Sequence, residues 1–157
     1  MAARASADNA PQQAPFFAAY GGDAHAVARW LDEGGGVDAG CAEREGGTLL
    51  MAAAAGGQEA VVRMLLQRGA SVNLQSSLGI TALMSATLYG HTTVVQVLLD
   101  AKADASLQNQ GGYTALMLAE LYMHTATAQL LRQHAMRQEA EAADSNLQET
   151  FEPALPL

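Results

Sequence analysis

Three threonines, Thr48, Thr81 and Thr114, stand 33 residues apart each time and open the near-copies TLLMAAAAGGQEAVVRMLL, TALMSATLYGHTTVVQVLL and TALMLAELYMHTATAQLL. Self-similarity at a period of about 33 residues constrains a chain more than any composition does, because it demands a stack of like units. The register is kept on both sides of each threonine. Gly46, Gly79 and Gly112 precede them by two residues, and the paired aliphatics Val61-Val62 with Leu65-Leu66 recur as Val94-Val95 with Leu98-Leu99.

One unit can be built from its residues. Threonine caps a helix by accepting a backbone N–H of the first turn. After Thr81 a short helix through Ala82, Leu83, Met84 and Ala86 is expected to end at Gly90, where a left-handed residue is favoured. Thr92 to Leu99 carries apolar residues at 94, 95, 98 and 99, one face of a second helix. Gln75, Ser76, Ser77 and Gly79 read as a tight polar turn. Each unit is thus turn, helix, loop, helix, and neither helix pair encloses its apolar face without neighbours. Leu65, Leu66, Leu98 and Leu99 are the expected core between helix layers.

The pattern G-x-T-[AL]-L-M-x-A, then G-H or G-Q, then V-V-x-x-L-L, then G-A-x-V-N resembles the ankyrin repeat. Gly46 to Asn73 matches it best and Gly79 to Asp104 nearly as well. The fold this implies is an all-α ankyrin solenoid of stacked helix-turn-helix units joined by β-turn or hairpin loops. Where the family has T-P-L-H, this chain has Leu49, Ala82 or Ala115 for proline and Met51, Met84 or Met117 for histidine. The histidine's hydrogen bonds are then expected to give way to soft thioether packing. Lys102 stands where the family prefers glycine, and a positive φ there costs roughly 1 kcal/mol.

Four repeats are expected over 13–137, at about 13–47, 48–80, 81–113 and 114–137. The first is divergent: Phe16, Phe17, Gly22, Val27, Trp30 and Leu31 outline it, and its loop Ala39 to Gly47 carries two extra residues. Phe16 and Trp30 are expected to close the core, since an end repeat has one neighbour only. In the fourth repeat Thr127-Ala128 replaces the valine pair and Arg132-Gln133-His134 follows Leu130-Leu131, the polar drift of a cap. Residues 1–12 read as disordered. Residues 138–157 read as an acidic tail, helical through Ala143 and disordered from Asp144, a bland tail in preference to a docking motif at Phe151 and Leu155.

Composition narrows the function. Eight Lys and Arg against sixteen Asp and Glu give a formal charge of −8, which disfavours nucleic acid and acidic membrane surfaces. The one cysteine, Cys41, allows no internal disulfide and fits a reducing compartment. Neither a transmembrane run nor a signal peptide is read. A cytoplasmic monomer, with nuclear access open, is the expectation.

No catalytic or cofactor constellation is read. His91 and His124 occupy equivalent places one stacking step apart, so their side chains point alike and do not converge on one zinc. Resemblance implies instead that this histidine ties the loops of adjacent repeats. Cys41 has no histidine near it in sequence, and Gly34-Gly35-Gly36 follows a helix rather than a strand, so it is no phosphate cradle. A non-catalytic module binding a protein partner is expected, with a regulatory or adaptor subunit, or a piece of a larger enzyme, as alternatives. By resemblance partners bind the concave side, where large apolar residues are spaced repeat by repeat. These are Tyr20, Leu88-Tyr89 and Leu121-Tyr122 at the ends of first helices, and Leu78, Ile80 and Tyr113 in the turn tips. Ala55 and Gly56 leave the second repeat bare, and Glu43 and Glu45 are expected to add negative charge at one end.

Overall fold

The computed structural model describes residues 10–149. Eight α-helices alternate along them: α1 (Ala10–Gly21), α2 (Ala24–Asp32), α3 (Leu49–Ala55), α4 (Glu59–Gln67), α5 (Ala82–Leu88), α6 (Thr92–Asp100), α7 (Ala115–Leu121) and α8 (Thr125–Glu149). A two-stranded antiparallel hairpin, β1 (Gly40–Cys41) with β2 (Gly47–Thr48), encloses a 3-10 turn at Ala42–Arg44. Helices α1, α3, α5 and α7 pack in series as one layer, and α2, α4, α6 and α8 as the other. Each repeat therefore touches its sequence neighbours, as the period requires.

The threonines start the first helices as their spacing demands. Oγ1 of Thr48, Thr81 and Thr114 accepts from the backbone N of Met51, Met84 and Met117 at 3.3, 3.1 and 3.4 Å. In repeat two the methionine answers in kind: the Thr48 N–H donates to Met51 Sδ at 3.5 Å, completing a capping box with sulfur in place of a carboxylate. Met51 and Met84 are buried. So the thioether does more than fill space at this turn.

Leu65, Leu98 and Leu99 lie buried between the layers with both valine pairs, and Phe16 and Trp30 pack onto the same core. Leu66 departs from expectation and is half-buried. Its counterpart Leu99 is covered because α8 runs on and lays His134 and Arg137 beside it. Helix α6 ends at Asp100, so Leu66 lacks that cover.

Repeats are tied at their loops. His91 Nε2 lies 3.0 Å from the Ala55 carbonyl and His124 Nε2 lies 2.9 Å from that of Leu88. A carbonyl only accepts, so each ring donates through Nε2–H. Gln58 Nε2 does the same to Tyr20 O at 3.1 Å. The ring needs room: a Cβ on Gly57 would stand 2.7 Å from the His91 ring, and one on Gly90 2.7 Å from the His124 ring. Asp38 and Asn73 make a second row of ties, accepting from the backbone N of Ser71 and Asp104 at 2.8 and 2.7 Å.

The stack ends chemically at repeat four. Glu120 replaces the fully buried Ala54 and Thr87, Arg132 replaces the buried Leu99, and the two form an ion pair. Met123 holds φ 60° where Gly57 and Gly90 stood, and it is 85 % exposed because no further histidine lies on it. Lys102 takes the positive φ expected of it, 68°.

The ends differ from the sequence reading. Residues 10–12, expected to be disordered, begin α1; Pro11 sits in the first turn, where its missing N–H leaves no bond unmade. Residues 144–149, expected to be disordered, continue α8. A helix already nucleated on the stack adds residues at little cost, which outweighs the weak propensities of Asp144, Ser145 and Asn146. The rest of the proposed N-terminal segment, and Phe151 and Leu155, lie outside the described residues.

Candidate protein-binding surface

The first-helix layer and the turn tips form one face of the stack, and the turn tips are locked together along it. Ser77 N–H donates to Glu45 O at 2.8 Å, and Gln110 N–H to Leu78 O at 2.9 Å. Within the turn after repeat two, Ser76 N–H donates to Ile80 O at 2.9 Å and the Ile80 N–H returns to Ser76 Oγ at 3.2 Å. Gly79, at φ 77°, lies so close to the next tip that a Cβ would stand 2.9 Å from Asn109 Cα. The tips are therefore a rigid row, and side chains on them are presented at fixed places.

Of the eight residues singled out in the sequence, the fold gathers four. Tyr20, Leu78, Ile80 and Tyr89 line one groove of about 220 Å³ across repeats one to three. Its floor is Met51, Ala52 and Ser85, and the small Ala55 of repeat two makes the depression, because no large side chain there fills the space between Tyr20 and Tyr89. Gly56 is turned to Tyr20, whose carbonyl oxygen a Cβ would meet at 2.1 Å. Tyr20, Leu78 and Tyr89 are exposed, while Ile80 is half-buried. The other four lie apart from it. Leu88 is half-buried against the core, Tyr113 is exposed at its turn tip, and Leu121 and Tyr122 are exposed on repeat four.

The charge at the groove is not the acidic end expected. Glu45 lines it beside Arg44, whereas Glu43 lines a separate cavity of about 310 Å³ with Phe16, Trp30 and Cys41. The cause is the two-residue insertion: the 3-10 turn and the left-handed Glu45, at φ 56°, send consecutive side chains to different sides. Arg44 also lies 5.1 Å over the ring of Phe17, a cation–π contact. Phe17 is not among the residues the sequence singles out for this surface, since its neighbour Phe16 faces the core. Their adjacency in a helix, 100° apart, is the signal that one of the two must look outward.

Other chemistry is sparse. The described residues hold no group of three His, Cys, Asp or Glu side chains placed to bind a metal ion. No described helix is long and apolar enough to cross a membrane. Asp104, at the edge of the second layer, is held below its ordinary carboxyl pKa by hydrogen bonds from the Ser106 hydroxyl and backbone.

Comparison with known proteins agrees with the geometry. A family model described as ankyrin repeats (3 copies) matches residues 4–76 and 69–144. Ankyrin repeat and SAM domain-containing protein 6 of Rattus norvegicus is 45% identical over 53 residues, 34% of this chain and 6% of that protein. The chain thus spans a small part of the length of the curated relative it matches.

Proposed function

Because the chain belongs to the ankyrin repeat family, whose repeats are in general protein-interaction modules, we propose that it binds a protein partner through its concave groove and does no chemistry on it. One observation carries this reading: Tyr20, Leu78 and Tyr89 stand exposed around a depression floored by Met51, Ala52 and Ser85. Tyrosines held on rigid elements offer much contact area at little entropy cost. A depression between them takes one large apolar side chain of a partner, the arrangement in which an interface concentrates its energy. Arg44 and Glu45 at the rim supply both signs of charge, which suits orientation rather than affinity.

Tyr113, at the turn tip that ends repeat three, and Leu121 and Tyr122 of repeat four extend the proposed surface. An adaptor or regulatory subunit is the same reading with the partner an enzyme, and a single buried Cys41 is consistent with work in a reducing compartment such as the cytoplasm. The test is affinity capture on the tagged chain, compared with Tyr20→Ala/Tyr89→Ala and with Tyr89→Ala/Tyr122→Ala. Partners recovered stoichiometrically with the parent chain and lost with both double variants, at unchanged melting temperature, support the groove. Partners retained by both variants place binding elsewhere.

A further inference from the structure

Helix α8 has 25 residues, whereas α2, α4 and α6 have nine each. Its first half does the work of a repeat, burying Thr127, Ala128 and Leu131. From Ala135 to Gln148 every side chain is exposed. Past Arg137, which lies beside Leu99, the stack gains no buried residue from this length, and an unpacked helix of that size is marginal in water.

Its apolar residues are not scattered. Met136, Ala140, Ala143 and Leu147 follow one another at spacings of four, three and four, the d-a-d-a seam of a two-stranded coiled coil. Met136 is 69 % and Leu147 67 % exposed. The side of α8 turned to the stack is a different one: His134, Arg137, Gln138 and Glu141 line a polar cleft beside Asp100 and Asp104, with Arg137, one residue on from Met136, at the border between that side and the seam. The seam points away from the repeats.

We propose that this seam pairs with the same seam of a second copy of the chain, the two helices running antiparallel about a two-fold axis. The orientation follows from the flanking charges. With Met136 at d, Arg137 and Asp144 fall at e, and Arg132 and Glu139 at g. Parallel pairing sets each g against the next e of the other helix, so Arg132 meets Arg137 and Glu139 meets Asp144, like charge on like charge. Antiparallel pairing sets e against e: Arg137 faces Asp144 of the second copy, and symmetry repeats the contact. Arg137, Glu139 and Asp144 take part in none of the ion pairs found among the described residues, which join Glu59 to Arg63, Asp32 to Arg68 and Glu120 to Arg132. The seam matches itself in size as well. Met136 lies against Leu147, and Ala140 against Ala143, so small residues meet at the centre and bring the backbones close. Four layers make a weak dimer that forms with rising concentration, not an obligate one. It departs from the monomer expected from the sequence.

Sedimentation equilibrium of the full chain across the micromolar range tests this. A reversible monomer–dimer equilibrium is expected. Leu147→Glu should leave only monomer. Arg137→Glu should raise the dissociation constant about tenfold or more, since it sets like charges together twice. Arg137→Glu with Asp144→Arg should return it to within a few-fold of the parent. All these side chains are exposed, so circular dichroism melts serve as the folding control: Leu147→Glu should melt as the parent does, and Arg137→Glu should show the same small loss, from its place beside Leu99, with and without Asp144→Arg. Monomer at every concentration overturns the proposal, as does a dimer indifferent to Leu147→Glu. Tighter association on Arg137→Glu overturns it too, because relief of the Arg132–Arg137 contact is the mark of parallel helices.

Discussion

The imidazole of His91 occupies the space that a Cβ on residue 57 would enter, 2.7 Å from it. Gly57 is thus fixed twice, by its own φ of 68° and by the ring of the next repeat. Gly69, at φ 88°, has nothing within 4 Å of its ideal Cβ and is fixed by φ alone. Gly69→Ala should cost about 1–2 kcal/mol. Gly57→Ala should cost about 1–3 kcal/mol more, the penalty of overpacking. Chemical denaturation of the two variants checks this, and equal losses would mean that the ring imposes nothing on residue 57.

His91 itself should behave as a tie. His91→Ala frees the Ala55 carbonyl and should lower stability by about 1–3 kcal/mol, the cost of leaving a part-buried acceptor unmade. His91→Gln should recover part of the loss, because Gln58 already makes the equivalent bond to Tyr20 O. Metal analysis of parent and variant should give the same content.

Core substitutions should sort by cover. Leu98→Ala should cost about 2–5 kcal/mol. Leu66→Ala should cost less, about 1–2 kcal/mol, because part of its side chain already faces water. A Leu66 loss equal to that of Leu98 would contradict the idea that the length of α8 decides which leucine is covered.

Acid should weaken the loop at Asp104. Its folded carboxyl lies below the ordinary value of 3.8 through the Ser106 bonds. That stability is present above the unfolded pKa and is lost as pH falls through the lower folded one. Ser106→Ala should therefore melt below the parent at neutral pH, with the gap closing beneath about pH 4. The residue is exposed, so the shift should be small. A gap independent of pH would assign it to packing.

Deleting residues 48–80 should leave a shorter folded stack, in which His91 takes the place of Gln58 against Tyr20 O. Retained helical circular dichroism and a cooperative melt at lower temperature are the expected results. Collapse to an unfolded chain would mean that contacts reach beyond neighbouring repeats.

What is legible in the sequence follows physical lines. Caps, helix-ending glycines and the Val-Val-x-x-Leu-Leu face are local and periodic, and they place the repeats. Residue-by-residue differences between repeats carry the rest, and these have meaning only against a neighbour. Glu120 and Arg132 read singly as polar drift, yet they are one ion pair on the last face. Met123 carries no signal until it is aligned with Gly57 and Gly90. The groove is legible as a set of exposed tyrosines but not as to which of them meet. Tyr20 and Tyr89 come together across the bare repeat two, which a search for large residues passes over. The length of α8 escapes a residue-by-residue weighing of propensity, because that weighing omits the stack that nucleates the helix.

Met51 hydrogen-bonds the Thr48 N–H through sulfur, where a histidine would use nitrogen. Imidazole there would carry a proton equilibrium near neutrality into the start of the helix. Thioether has none, so the turn is blind to pH across the physiological range. Its vulnerability is to oxidants instead: one added oxygen turns a buried, soft acceptor into a polar sulfoxide with no room for it. In this stack the joint between turn and helix answers to redox conditions and not to acidity.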